Sequence, residues 1–167
     1  MRINKKKFIY LISPNKISKN FYEDLKIVLK TGKVSIFQMR LKKYSLKQKI
    51  LIGKKIKMIC KNNKVKFLVN DDPLLSLKLN ADGCHLGQKD MGIKEAKKII
   101  GKKIIGITCH NSLVLAKKAI KAKASYLAFG AFNTSKTKNT RYLANTKILN
   151  KVKKFTKTPI VAIGGIN

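Results

Sequence analysis

Acidic side chains are few in this chain, and most of them stand close together. Of its 7 Asp and Glu, set against 39 Lys and Arg, Asp71, Asp72, Asp82 and Asp90 all fall in "FLVNDDPLLSLKLNADGCHLGQKD", residues 67–90. Asp71 and Asp90 can converge on a hard divalent cation, best matched by Mg²⁺, which takes one or two carboxylates and completes its shell with phosphate oxygens. Asp72 precedes Pro73 and suits a helix N-cap, while Asp82, in "NADG", suits a turn. A second constellation is basic. In "QMRLK" strand alternation puts Gln38, Arg40 and Lys42 on one face and Phe37, Met39 and Leu41 on the other. An Arg and a Lys facing inward are costly unless an anion meets them. Arginine is also rare here, at Arg2, Arg40 and Arg141 alone.

Further polar groups follow other apolar runs. Asn70 adjoins Asp71, and Thr108 precedes Cys109 and His110. "NTSKTK" supplies Ser135, Thr137 and Lys138 for an anion, and the backbone of Gly164 and Gly165 can approach a phosphate without Cβ interference. Cys84–His85 and Cys109–His110 suggest zinc, but neighbouring strand residues face opposite ways. If Thr108 points inward, His110 can follow it while Cys109 packs against helices, and the same alternation separates His85 from Cys84. The spacing matches no zinc pattern, so the cysteines are read as small core residues.

Seven strand-like runs must carry these groups: residues 7–13, 34–40, 65–70, 83–86, 104–108, 125–130 and 159–165. Between them lie helical stripes, such as Phe21, Leu25, Val28 and Leu29, or Ile50, Ile52, Ile56 and Ile59, with others over Ile93–Ile100, Leu113–Ile120 and Leu143–Phe155. Regular alternation predicts a parallel α/β sheet. A doubly wound sheet would place a glycine-rich phosphate loop after the first strand, where "LISPNKIS" stands instead. A site gathered from the C-terminal ends of many strands is the layout of a (β/α)8 TIM barrel.

Length and composition narrow the class further. The 167 residues, 44% of them hydrophobic, suffice for one domain with a core. No apolar run is long enough to span a membrane, and "FIYLI" is too short for a signal peptide. Three cysteines at irregular spacing predict reduced thiols and a cytoplasmic protein. The formal charge of +32 invites a nucleic-acid reading. The bases are lysines spread along helix exteriors, with no binding motif beside them, so no specific nucleic acid is expected, only weak, salt-sensitive sticking to polyanions.

The ordered set "YLIS", "QMRLK", "VND", "ADGCHLGQKDM", "IIGITCH", "FGAFNTSKTK" and "PIVAIGGI" resembles the thiamine phosphate synthase family over nearly the whole chain. The resemblance implies a TIM barrel that joins 4-amino-2-methyl-5-hydroxymethylpyrimidine diphosphate to a thiazole phosphate and releases pyrophosphate. It implies Mg²⁺ at Asp71 and Asp90, and pyrimidine diphosphate at Gln38, Arg40, Lys42, Asn70, Thr108 and Lys138. Ser135, Thr137 and the Gly165 backbone would take the thiazole phosphate. Arg40, Lys42 and Lys138 would be catalytic, stabilising the leaving pyrophosphate by charge. The chain departs from the family pattern at Asp72 (usually Arg), Leu41 (usually acidic), Thr108 (usually Ser) and Ser135 (usually Thr). The sequence ends after the seventh strand, so the expectation is a barrel domain over 1–167 with the eighth strand missing. Its open edge would favour pairing with a second copy. A thiazole tautomerase or regulatory relative, with His110 as acid/base, and a non-catalytic phosphate-ligand-binding remnant are the alternatives.

Overall fold

A computed structural model of the chain describes residues 8–133 and 143–166. Strand and helix alternate throughout: β1 (Ile9–Ile12), α1 (Phe21–Lys30), β2 (Val34–Met39), α2 (Leu46–Asn62), β3 (Lys66–Asn70), α3 (Pro73–Lys78), β4 (Gly83–Leu86), α4 (Ile93–Ile100), β5 (Ile104–His110), α5 (Leu113–Lys121), β6 (Tyr126–Phe129), α6 (Thr146–Lys153) and β7 (Ile160–Ala162). The strands pair in parallel in chain order, β1 to β7, curving into a nearly closed barrel with helices outside. Among the described residues no helix is long and apolar enough to cross a membrane.

Local signals set the helix starts. Ser45 and Gln48 form a reciprocal capping box at α2, Asp72 accepts the Leu75 N–H at 2.8 Å, and Ser112 accepts the Leu115 N–H at 3.2 Å. Each satisfies an amide that the helix itself cannot. Several boundaries differ from the sequence reading; β5, for example, runs on to His110 rather than ending at residue 108. Helix α6 starts at Thr146 rather than Leu143, and strand β7 stops at Ala162, where the chain turns into two positive-φ glycines. The α1 stripe is also narrower than its apolar content: Phe21, Leu25 and Leu29 are buried, whereas Val28 is 40% exposed.

Strand alternation divides the side chains between two cores. Phe37, Met39, Phe67 and Val69 face outward into the helix layer with Leu25, Ile56 and Leu75. Cys84, Leu86, Ile105, Ile107, Leu127 and Phe129 do so on the other half, against α4, α5 and α6. Each fully buried Phe or Leu contributes about 1.5–3 kcal/mol of transfer free energy. A smaller third core fills the barrel itself, with Leu68, Tyr126 and Ala128 packed against Tyr10, Ile36, Ile104, Val161 and Ile163.

At the N-terminal end of the barrel, Asp82 is a structural knot. Its carboxylate accepts the Phe67 N–H at 2.9 Å and the Lys66 ammonium at 3.0 Å. Its carbonyl accepts the Ile104 N–H at 2.9 Å. One residue thus fixes where β3 and β5 begin, on the barrel face associated with stability rather than chemistry. Asp82→Ala should therefore lower unfolding free energy in urea by about 1–3 kcal/mol, the cost of orphaning a half-buried amide, and leave pyrophosphate affinity unchanged by calorimetry.

Candidate active site

The polar groups collect at the C-terminal ends of the strands. Past β2, Arg40 is held twice by the segment after β1: its backbone N–H donates to Ser13 Oγ at 2.8 Å, and its Nη1 donates to Asn15 Oδ1 at 2.6 Å. Ser13 is buried, and its own N–H donates to the Gln38 carbonyl at 2.9 Å. The guanidinium is therefore oriented before any anion arrives. Phe37, Met39 and Leu41 pack into the outer core, while Gln38 turns inward to Tyr10 and Asn70; Lys42, beyond the strand, shares a cavity with Met39 and Leu41.

Beyond β3 the chain enters a left-handed conformation at Asp71 (φ 64°), which a short polar residue tolerates. Its N–H donates to the His85 carbonyl at 2.7 Å, tying it to the end of β4. Lys42 Nζ lies 3.3 Å from Asp71 Oδ2. Asp90 folds back beside it, its Oδ2 accepting the Gly87 N–H at 2.6 Å. Burial pushes the Asp90 carboxyl up from the ordinary carboxylate range, and the adjacent Asp71 carboxyl adds to this; the Gly87 amide and Lys42 oppose it. Lys42 thus pairs with Asp71 and acts on Asp90 only through its charge. Among the described residues no group of three or more His, Cys, Asp or Glu could hold a metal. A cation here would have to draw its other ligands from water or substrate oxygens, and that donor set fits Mg²⁺. Lys42, Lys49, Asn70, Asp71 and Asp72 line an adjoining cavity of about 310 Å³.

Below this rim, polar side chains continue into the barrel. Gln38 hydrogen-bonds to Asn70 and accepts from the Tyr10 hydroxyl at 2.7 Å. Tyr10 and Tyr126 hydroxyls meet at 2.7 Å. Tyr126 also meets His85 Nδ1 at 2.8 Å, and His85 Nε2 lies 2.9 Å from Thr108 Oγ1. No buried side-chain nitrogen or oxygen among the described residues is left unpartnered.

Zinc finds no support here. Cys84 and Cys109 are fully buried in the outer core, and burial pushes both thiols up to about 12. His85 faces the interior with both ring nitrogens engaged. His110 breaks the expected alternation: the β5–β6 register shifts between Thr108 and His110, so His110 stands opposite Phe129 at φ 51°.

After β7, Gly165 has φ 66°, and a Cβ there would lie 2.6 Å from Asn133 Cβ. The Asn133 side chain donates to the Gly165 carbonyl at 2.5 Å, and the Phe132 N–H donates to the Gly164 carbonyl at 2.9 Å. Only glycine fits this contact between the loops after β6 and β7. Ser135, Thr137 and Lys138 lie outside the described residues. The sequence reading had missed Ser13, Asn15, Tyr10, Tyr126 and Gly106. For the last three a signal existed, because tyrosines alternating with apolar strand residues and a glycine inside "IIGIT" mark a polar interior and a close approach.

Because its folded pKa is raised, Asp90 contributes stability that is present below the unfolded carboxyl value and lost as pH rises through the folded one. Asp90→Asn keeps an acceptor for Gly87 and removes the charge. The metal-free variant should melt no lower than the parent at pH 7, with any gain shrinking as pH falls. A loss of several degrees at pH 7 would show that the charge stabilises the metal-free fold.

Comparison with known proteins places this geometry. The family model described as thiamine monophosphate synthase matches residues 9–167. Thiamine-phosphate synthase of Pelagibacter ubique is 63% identical over 99% of this chain and 82% of its own length. That of Alcanivorax borkumensis is 42% identical over 81% of this chain and 63% of its own. Thiamine phosphate pyrophosphorylase from Pyrococcus furiosus superposes with a TM-score of 0.83 at 34% identity, over 98% of this chain and 77% of that one. N-acetylneuraminate lyase from Fusobacterium nucleatum, at 12% identity and a TM-score of 0.66, shares the fold alone. With the family model spanning nearly its full length, the chain belongs to the thiamine monophosphate synthase family.

Proposed function

We propose that this chain is the transferase that joins the pyrimidine diphosphate to the thiazole phosphate, with Mg²⁺ held by Asp71 and Asp90. The observation carrying this reading is that a braced Arg40, Lys42 and two neighbouring carboxylates all follow the C-terminal ends of strands. The bond between the pyrimidine methylene carbon and the diphosphate oxygen breaks, and its electron pair leaves with pyrophosphate. The ring-stabilised methylene cation is then captured by the lone pair of the thiazole nitrogen, forming the new C–N bond. Bound Mg²⁺ supplies charge neutralisation to the diphosphate.

What the protein contributes is electrostatic. Arg40 presents a planar donor fork already braced by Asn15, so little ordering is needed when the leaving group gains charge. Gln38, Asn70 and Thr108 would bind the pyrimidine diphosphate, as the family resemblance implies. The family resemblance would give the Gly165 backbone, Ser135 and Thr137 to the thiazole phosphate and Lys138 to the diphosphate. The three free, buried cysteines support action in a reducing cytoplasm.

Product formation from the two substrates tests the reading directly: thiamine phosphate should appear with Mg²⁺ and not with a chelator. Asp71→Asn and Asp90→Asn should each abolish Mg²⁺-linked pyrophosphate binding by calorimetry, and intact binding in both would refute the metal assignment. Arg40→Ala should weaken pyrophosphate binding by about 2–5 kcal/mol with little loss of stability. Met39→Ala, on the other face of β2, should cost about 2–5 kcal/mol of stability and leave the affinity intact.

A further inference from the structure

Helix α2 carries a lysine where its own packing calls for an apolar side chain. Gly53, Ile56 and Cys60 belong to the buried stripe of this helix, and one helical step of four residues before Gly53 stands Lys49. The stripe lies tight on the barrel, since a Cβ at Gly53 would fall 2.5 Å from Leu79 Cδ1 and 3.3 Å from Met39 Cε. The Ser45–Gln48 capping box fixes the first turn of α2, and the Lys49 N–H donates to the Ser45 carbonyl at 2.9 Å. Because α2 starts soon after β2 ends, this turn stands beside the C-terminal ends of the strands, at the level of the mouth. Among the described residues the half-buried lysines are Lys49, Lys57, Lys97 and Lys103. Lys97 donates to the Ala122 and Lys123 carbonyls, and Lys103 to Asn80 and the Ala81 carbonyl, so both ammonium groups have structural partners. The Lys49 ammonium has no ion-pair partner among the described residues. It lines instead the cavity of about 310 Å³ that Lys42 and Asp71 also line.

We infer that Lys49 is a further diphosphate-binding residue, its ammonium meeting the diphosphate from the helix side of the mouth. This rests on the proposed function above. Met39 and Leu75, which also line the cavity, belong to the outer core. The cavity therefore lies between sheet and helices, apart from the interior that Gln38 enters. Its charged side chains are Lys42 and Lys49 against Asp71 and Asp72, so a divalent cation at Asp71 and Asp90 would leave it net positive and open to an anion. Asp72 is already engaged as the cap of α3. A lysine suits this place. Its methylene stem can lie along the apolar wall while the charge stays free to reach an anion. A compact ammonium on a flexible stem can also follow a leaving group that moves, which a braced guanidinium such as Arg40 cannot.

The test is Mg²⁺-linked binding of inorganic pyrophosphate to the full chain by calorimetry at fixed ionic strength. Lys49→Gln should lose affinity about tenfold, the size of one charge-assisted hydrogen bond, and Lys49→Arg should keep most of it. Lys47→Gln removes an equal charge from the exposed, opposite side of the same turn. It should change affinity by less than about twofold, the effect of the screened general field. In the parent, Mg²⁺ and pyrophosphate together should protect the Lys49 amine from acetylation, read by mass spectrometry, while Lys57 reacts as before. That readout needs no variant to fold. Equal losses in Lys49→Gln and Lys47→Gln overturn the inference and leave the functional reading standing. So does a Lys49 amine that reacts at an unchanged rate while pyrophosphate is bound. A parent that binds no pyrophosphate with Mg²⁺ present overturns both.

Discussion

Tyr10 and Tyr126 are 116 positions apart in sequence, and their hydroxyls meet at 2.7 Å inside the barrel. The two outer hydrophobic cores are separate clusters, one under α1, α2 and α3 and the other under α4, α5 and α6. The two phenols join these halves through the interior. Burying them costs free energy unless each polar atom finds a partner. That requirement draws in Gln38, His85 and Thr108 and leaves no buried orphan among the described residues. Gln38 and Thr108 are also among the residues proposed to bind the pyrimidine diphosphate. Stability of the barrel and the pattern of the site are in this sense one arrangement.

The mouth above the interior is built by the opposite logic. Inside, every buried side-chain nitrogen and oxygen among the described residues has a partner; at the rim, charged groups stand close together. Asp90 stands beside Asp71, and its carboxyl is raised first by burial and then by that neighbour, with the Gly87 amide and Lys42 opposing. Arg40, past β2, is braced by Ser13 and Asn15. A polyanionic leaving group calls for fixed charge rather than a proton shuttle, and no basic side chain is needed to accept a proton in the bond exchange described.

Much of this was legible in the sequence, for reasons that differ by element. The strands were readable because parallel strands covered on both faces run apolar and end abruptly in polar residues. The Asp72 cap was readable because N-cap chemistry is local. Alternation in "QMRLK" put Phe37, Met39 and Leu41 in the outer core and Gln38 inside, as found. The Tyr10–Tyr126 contact was not readable, since it depends on how a sheet curves and no short-range spacing encodes it. The braces on Arg40 come from a loop with no motif of its own. At His110 alternation failed because a register shift intervenes between it and Thr108, and sequence periodicity carries no mark of such a shift.

The central claim is that one cation and one diphosphate share the mouth through Asp71 and Asp90. The most direct measurement is the anomalous scattering of Mn²⁺, standing in for Mg²⁺, in crystals of the chain grown with pyrophosphate. The account predicts a single strong peak coordinated by both carboxylates and by pyrophosphate oxygens, with the Arg40 guanidinium on the same pyrophosphate. A pyrophosphate held by Arg40 with no metal at Asp71 and Asp90, or a metal bound elsewhere in the barrel, would contradict it.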